Sequence, residues 1–152
     1  MKPIAISVSQ ALASERLFAP FFAGSSWNTW KAVVKAMFGE SLNATELELF
    51  HAVAERDPPR QPVREMAAVA GRGAGKDSVA TVIAAVMAVN YDPRGKLRPG
   101  ERAVVMLLAV DREQAKIGFQ LHCRLVPRHP CSGQACSTLH RRQHRAQQRR
   151  RR

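Results

Sequence analysis

At 152 residues the chain has room for one domain, and its formal charge of +12 comes from 24 Lys and Arg against 12 Asp and Glu. The excess is uneven: residues 1–120 hold 15 basic and all 12 acidic side chains, whereas residues 121–152 hold nine arginines and no carboxylate. The sequence pI of about 11.0 therefore belongs mostly to the tail and does not make the body a basic DNA-binding face. Cys123, Cys131 and Cys136 also lie in that tail, and a cysteine-free body suits a reducing compartment. The apolar stretch after Lys2 is too short for a secretory leader, and Val79–Val89 is too short to cross a bilayer.

Residues 9–19 predict a short helix capped by Ser9 and stopped before Pro20. Ser25 or Ser26 can cap a second helix, in which Trp27, Trp30, Val33, Val34, Met37 and Phe38 share one face and Gly39 provides the C′ residue. For the two tryptophans the expected role is helix packing, with a stacking surface for a base as the alternative. Asn43 and Glu46 form an N-cap and N3 pair for a third helix with a Leu47, Phe50, Ala54 stripe, stopped at Asp57-Pro58-Pro59. Residues 58–65, with three prolines and three charges, read as a linker.

The chemistry concentrates in Ala70-Gly71-Arg72-Gly73-Ala74-Gly75-Lys76-Asp77-Ser78. Three glycines within five residues allow positive φ and let amides turn inward. A helix starting directly afterwards adds free N–H groups and its positive dipole end, and Lys76 adds a point charge. An apolar strand, Met66–Ala70, before the loop and a helix from Asp77 to about Asn90 behind it complete a Walker A, or P-loop, pattern. Two positions depart from that pattern. Ala70 replaces its first glycine, and Asp77 stands where a Ser or Thr hydroxyl would meet Mg²⁺, with Ser78 one place later.

Tyr91–Gly100 reads as an exposed connection. Ala103–Val110 is an unbroken apolar run, expected of a strand covered on both faces of a parallel sheet. Asp111 can cap a further helix with Gln114 at N3. The predicted fold class is α/β: an incomplete P-loop NTPase with a parallel βαβ core over 61–120, N-terminal helices over 1–60, and a disordered Arg-rich tail over 121–152. The helix at Val79–Val89, apolar nearly all round, is expected to drive poor solubility or association. Nonspecific, salt-sensitive nucleic-acid binding suits the tail. Its Cys131, Cys136, His140 and His144 lack the long loop of an ordinary zinc finger. Its composition also matches an out-of-frame read of a GC-rich gene.

The body resembles the N-terminal part of the large subunit of tailed-phage terminases, the ATPase-nuclease that packs DNA into capsids. The resemblance rests on Phe22-Ala23-Gly24-Ser25-Ser26-Trp27-Asn28-Thr29-Trp30 with the helix after it, on Gly71–Ser78, and on the strand ending in Asp111-Arg112-Glu113-Gln114-Ala115. It covers about residues 18–120. It implies that Gly71, Arg72, Gly73, Ala74, Gly75 and Lys76 hold the phosphates of ATP and that Arg72 senses the γ-phosphate. It further implies that Asp77 and Ser78 meet Mg²⁺ and that Gln61 reaches the adenine. For the full-length family it implies double-stranded DNA, portal and small terminase subunit as partners, in the cytoplasm of a bacterial host. No Asp or Glu follows Glu113, so the later carboxylates that hold Mg²⁺ and orient water have no counterpart, and neither does the nuclease domain. The expected product is an ATP-binding fragment without useful hydrolysis. A helicase-like P-loop ATPase, a small Arg-tailed nucleic-acid-binding protein and a non-functional truncated product are the alternatives.

Overall fold

The computed structural model describes residues 6–110, 112–116 and 120. The chain forms two units, Met1–Met106 and Leu107–Arg152. In the first, helix α1 spans Val8–Ala13 and starts two residues earlier than the Ser9 cap predicts. Ser7 is the cap: its hydroxyl accepts from the Gln10 amide at 3.0 Å, and the Gln10 side chain accepts from the Ser7 amide at 3.1 Å. Ser9 instead serves Glu40, whose carboxylate accepts from the Val8 amide at 2.5 Å, the Ser9 amide at 3.1 Å and the Ser9 hydroxyl. A carboxylate from 31 residues away thus satisfies the donors that a helix start leaves open. The helix ends at Ala13, well before Pro20, which lies in a 3₁₀ turn over Ala19–Phe21.

Helix α2, Asn28–Met37, grows directly out of a second 3₁₀ turn, Ser25–Trp27. Neither Ser25 nor Ser26 caps it, because Trp27 occupies the N-cap position and the turn bonds its own amides, Trp27 N–H to the Gly24 carbonyl at 3.1 Å. The far end behaves as the sequence predicts. Gly39 is at φ +70, its amide bonds the Ala36 carbonyl at 3.0 Å, and the Glu40 amide bonds the Lys35 carbonyl at 3.0 Å. This pair of bonds is a Schellman closure, and it needs a glycine in the left-handed region. The linker crosses immediately above. A Cβ on Gly39 would meet the Gln61 carbonyl carbon at 2.8 Å, and the Val63 amide bonds the open Met37 carbonyl at 2.9 Å.

Helix α3, Ala44–Ala54, carries the predicted Asn43–Glu46 capping box. It stops at Ala54, ahead of Asp57-Pro58-Pro59, with Glu55 in the left-handed region at φ +51. Helix α4 spans Lys76–Asn90. Helix α2 packs against α1, α3 and α4. Ala32 and Ala36, fully buried one turn apart, admit the Phe50 ring of α3, with Val33, Leu42 and Leu49 around it. Beside Val34, the side chains of Leu12, Phe22, Val79 and Val82 leave a residual cavity of only about 10 Å³. Asn90 closes the α4 end on the N-terminal segment, accepting from the Ile6 amide at 3.0 Å and donating to its carbonyl at 2.8 Å.

The predicted α/β architecture is not what the chain forms. Among the described residues there is no strand, and the parallel βαβ core expected of a P-loop NTPase is absent. Met66–Ala70 and Ala103–Val110 are irregular, with no ladder bonds, and Val69, Leu108 and Val110 are 107%, 87% and 97% exposed. The physical reason lies in what a parallel strand requires. Its backbone must be paired on an edge and its two faces covered by helices. An apolar run without those neighbours leaves its amides and carbonyls to water. The all-round apolar character of Val79–Val89 is likewise met only in part. Val79, Val82, Ala84, Ala85 and Val86 are buried, whereas Met87 and Val89 are exposed.

In the second unit residues 112–116 are helical, with Lys116 Nζ 3.6 Å from the Glu113 carboxylate. The Asp111 cap and the expectations for residues 121–152, disorder and zinc spacing alike, lie outside the described residues.

Candidate functional site

The glycine loop has local geometry of the predicted kind even though no strand leads into it. Gly73 and Gly75 sit at φ +80 and +79, and the Ala74 amide bonds the Gly71 carbonyl at 3.3 Å to close a turn. A Cβ on Gly71 or Gly73 would meet nothing within 4 Å, so their hydrogens face open space. Gly75 is the N-cap of α4, and the first bond of the helix runs from the Val79 amide to the Gly75 carbonyl at 3.1 Å.

The amides between those bonds are open. Among the described residues, the N–H groups of Arg72, Gly73, Gly75, Lys76, Asp77 and Ser78 find no protein acceptor, and the N-cap supplies none from its side chain. These donors lie on one short arc at the positive end of a 15-residue helix. Lys76 is exposed and forms no ion pair among the described residues, and the same holds for Arg72. Backbone donors, helix dipole and two cations within five residues make an arrangement that accepts an oxyanion.

Asp77 departs from that pattern in a way the structure explains. It lies in the first turn of α4, where a carboxylate complements the dipole. Its backbone carbonyl accepts from the Thr81 hydroxyl at 2.9 Å, so the turn is held from below as well. Ser78 is half-buried and falls at N3. No group of three or more His, Cys, Asp or Glu side chains gathers around a metal position among the described residues. A magnesium ion here would depend chiefly on phosphate oxygens and water, with Asp77 and Ser78 as the protein's contribution, which is an ordinary division of ligands for that ion.

The loop is braced from the side by α2, through residues that lie more than forty positions earlier in the chain. Trp30 Nε1 donates to the Ala74 carbonyl at 2.7 Å. The Trp27 ring lies under Gly75, and a Cβ there would stand 2.5 Å from two of its ring carbons. Trp27 is itself held edge-on by Phe22, ring centroids 4.6 Å apart. The tryptophans therefore pack as expected, but against the glycine loop. Trp27 ends the 3₁₀ turn and Trp30 lies in the first turn of α2, and nothing in the sequence pairs either with residues 74 and 75. Gln61 goes elsewhere: its backbone lies over Gly39, beyond the C-terminal end of α2, while the loop meets the N-terminal end. The intervening nine residues correspond to roughly 13 Å of helix axis.

A cavity of about 750 Å³ opens beside α2 and α3, bounded by Trp30, Val33, Met37, Phe50 and the segment from Val63 to Ala70. It abuts the loop at Ala70 and carries Arg56 and Glu65 among otherwise largely apolar walls. No helix among the described residues is long and apolar enough to cross a membrane. No family model, curated protein or solved structure matches the chain significantly.

Proposed function

We propose that residues 71–78 bind the terminal phosphates of ATP with Mg²⁺, as the ATP-binding element of a terminase-like DNA-packaging protein. The single observation that carries the reading is the arc of open amides at Arg72, Gly73, Gly75, Lys76, Asp77 and Ser78 around two left-handed glycines. In this reading the amides hold phosphate oxygens, Lys76 neutralises the outer phosphates, and Arg72 approaches the γ-phosphate. Asp77 and Ser78 contribute to the metal. Bound Mg²⁺ supplies charge neutralisation at the phosphates. Nucleotide binding is the proposed activity; turnover would further need a carboxylate to orient the attacking water. The site of action is the bacterial cytoplasm, and double-stranded DNA, portal and small terminase subunit would be partners of a full-length motor.

Titration of the full chain with a fluorescent ATP analogue in Mg²⁺ tests this directly. Saturable binding should fall at least tenfold in Lys76→Ala, since an ammonium on a phosphate is a charge-assisted contact. Equal affinity in the two proteins would reject the reading. A second reading, salt-sensitive nucleic-acid binding through the tail, is favoured by nine arginines without a carboxylate over 121–152. It predicts DNA affinity that falls steeply with salt and is indifferent to Lys76→Ala.

A further inference from the structure

We infer that Trp27 and Trp30 are positioning residues that hold the glycine loop in its anion-accepting form before any ligand arrives; this rests on the phosphate-binding reading above. A loop with glycine at 71, 73 and 75 has more backbone freedom to lose than one without glycines. Left to itself it would sample many conformations, and each ligand would have to order it. Two long-range contacts remove that freedom at adjacent residues.

The first contact also sets a direction. In a trans peptide the carbonyl and the following N–H point opposite ways. Trp30 Nε1 holds the Ala74 carbonyl toward α2 at 2.7 Å, so the Gly75 amide is turned away from α2. That amide is one of the open donors of the arc. The second contact sets a height. Trp27 leaves no space for a side chain at 75, which lets the backbone lie flush on the ring and begin α4 at the next residue. Glycine is thus required at 75 twice over, by φ +79 and by the indole beneath it.

The bracing helix is itself firmly placed. Lys35 Nζ donates to the Glu46 carboxylate of α3 at 2.6 Å, and Ala32 and Ala36 are fully buried. A change at the loop is therefore transmitted to the indoles more readily than to the α2 backbone. Trp27 and Trp30 are the two tryptophans of the chain, so their emission reports on the loop without an added label.

The test uses full-length protein and three readouts: amide hydrogen exchange, indole emission, and binding of Mg²⁺ with the non-hydrolysable ATP analogue AMP-PNP. Trp30→Phe keeps a ring but removes the donor. It should speed exchange at Ala74 and Val79, whose amides bond the Gly71 and Gly75 carbonyls, by about fivefold to tenfold and weaken AMP-PNP binding by a similar factor, the size expected for one lost hydrogen bond. Protection at Val34 and Phe50 should stay unchanged, which a merely structural role would not give. Unchanged exchange at Ala74 and Val79 would overturn the inference. Should Trp30→Phe fail to fold, Gly75→Ala serves instead: it should shift the indole emission and speed exchange at Ala74 and Val79, and the absence of both effects overturns the inference. Wild-type protein that binds no AMP-PNP, with faster Ala74 exchange in the Trp30→Phe variant, would overturn the nucleotide reading while leaving the brace standing.

Discussion

Asp77 shows how one side chain can serve stability and oppose ligand binding. In the first turn of α4 its carboxylate complements the helix dipole, an effect of about 0.3–1 kcal/mol at an exposed position. The same charge lies at the end of the helix where phosphate oxygens would sit, and like charges about 4 Å apart in water repel by ~1 kcal/mol. Asp77→Thr removes the carboxylate and restores a hydroxyl. Nucleotide affinity should rise about fivefold, with a loss of no more than about 1 kcal/mol in unfolding free energy, read by parallel titration and chemical denaturation. In the proposed reading the new hydroxyl takes over the metal contact of Asp77, so the gain comes from the charge removed; an affinity that falls would mean that the hydroxyl cannot replace the carboxylate. Lys76 and Arg72 lie within the same arc with no ion pair among the described residues, so their charge is available to a ligand and is not consumed by the fold.

At the level of elements, the α2–α3 pair depends on Glu46. Its carboxylate accepts from the Asn43 amide at 3.0 Å and from Lys35 Nζ at 2.6 Å, so one group caps α3 and ties it to α2. Burial, the largest influence, pushes its pKa up, but the Lys35 hydrogen bond, the Asn43 amide and the Lys35 charge together hold it below the ordinary value of 4.5. A depressed carboxylate stabilises the fold above its unfolded value, and that contribution is lost as pH falls through the folded one. Acid titration of stability should therefore show a loss beginning near pH 4.5, and Glu46→Gln should flatten that limb while lowering stability at pH 7 by about 1.5–3 kcal/mol. An acid limb of unchanged slope in the variant would assign the sensitivity to another group. Asp92, brought down from 3.8 to about 2 by the Arg94 side-chain and backbone hydrogen bonds, loses its own contribution between those two values, so the acid limb that Glu46→Gln leaves behind includes it. The α3 cap was legible in advance because a capping box is a local pattern of two residues three apart. The start of α1 was not, because Glu40, which engages Ser9, is remote in sequence.

For the molecule as a whole, apolar surface left uncovered dominates its solution behaviour. Val104, Met106, Leu108 and Val110 are 72–97% exposed within one unbroken run, which is far more than scattered surface hydrophobes. Self-association should therefore run through 103–110 and much less through α4, whose main face is buried. The pair Val105→Lys and Leu108→Lys should shift light scattering toward monomer, whereas Met87→Lys should change it little. The opposite ranking would locate the contact on α4. That apolar run also marks where reading the sequence reached its limit. Composition, the Asn43–Glu46 cap, the Gly39 closure and the left-handed Gly73 and Gly75 follow from neighbours within a few residues, and all of these are carried by the sequence alone. A strand has no such local definition: it exists only where a second backbone takes its hydrogen bonds, and Met66–Ala70 and Ala103–Val110 have none to offer each other in a ladder. The bracing of Ala74 and Gly75 by two tryptophans over forty residues away is the converse case, invisible along the chain because packing in three dimensions, and no spacing rule, brings those groups into contact.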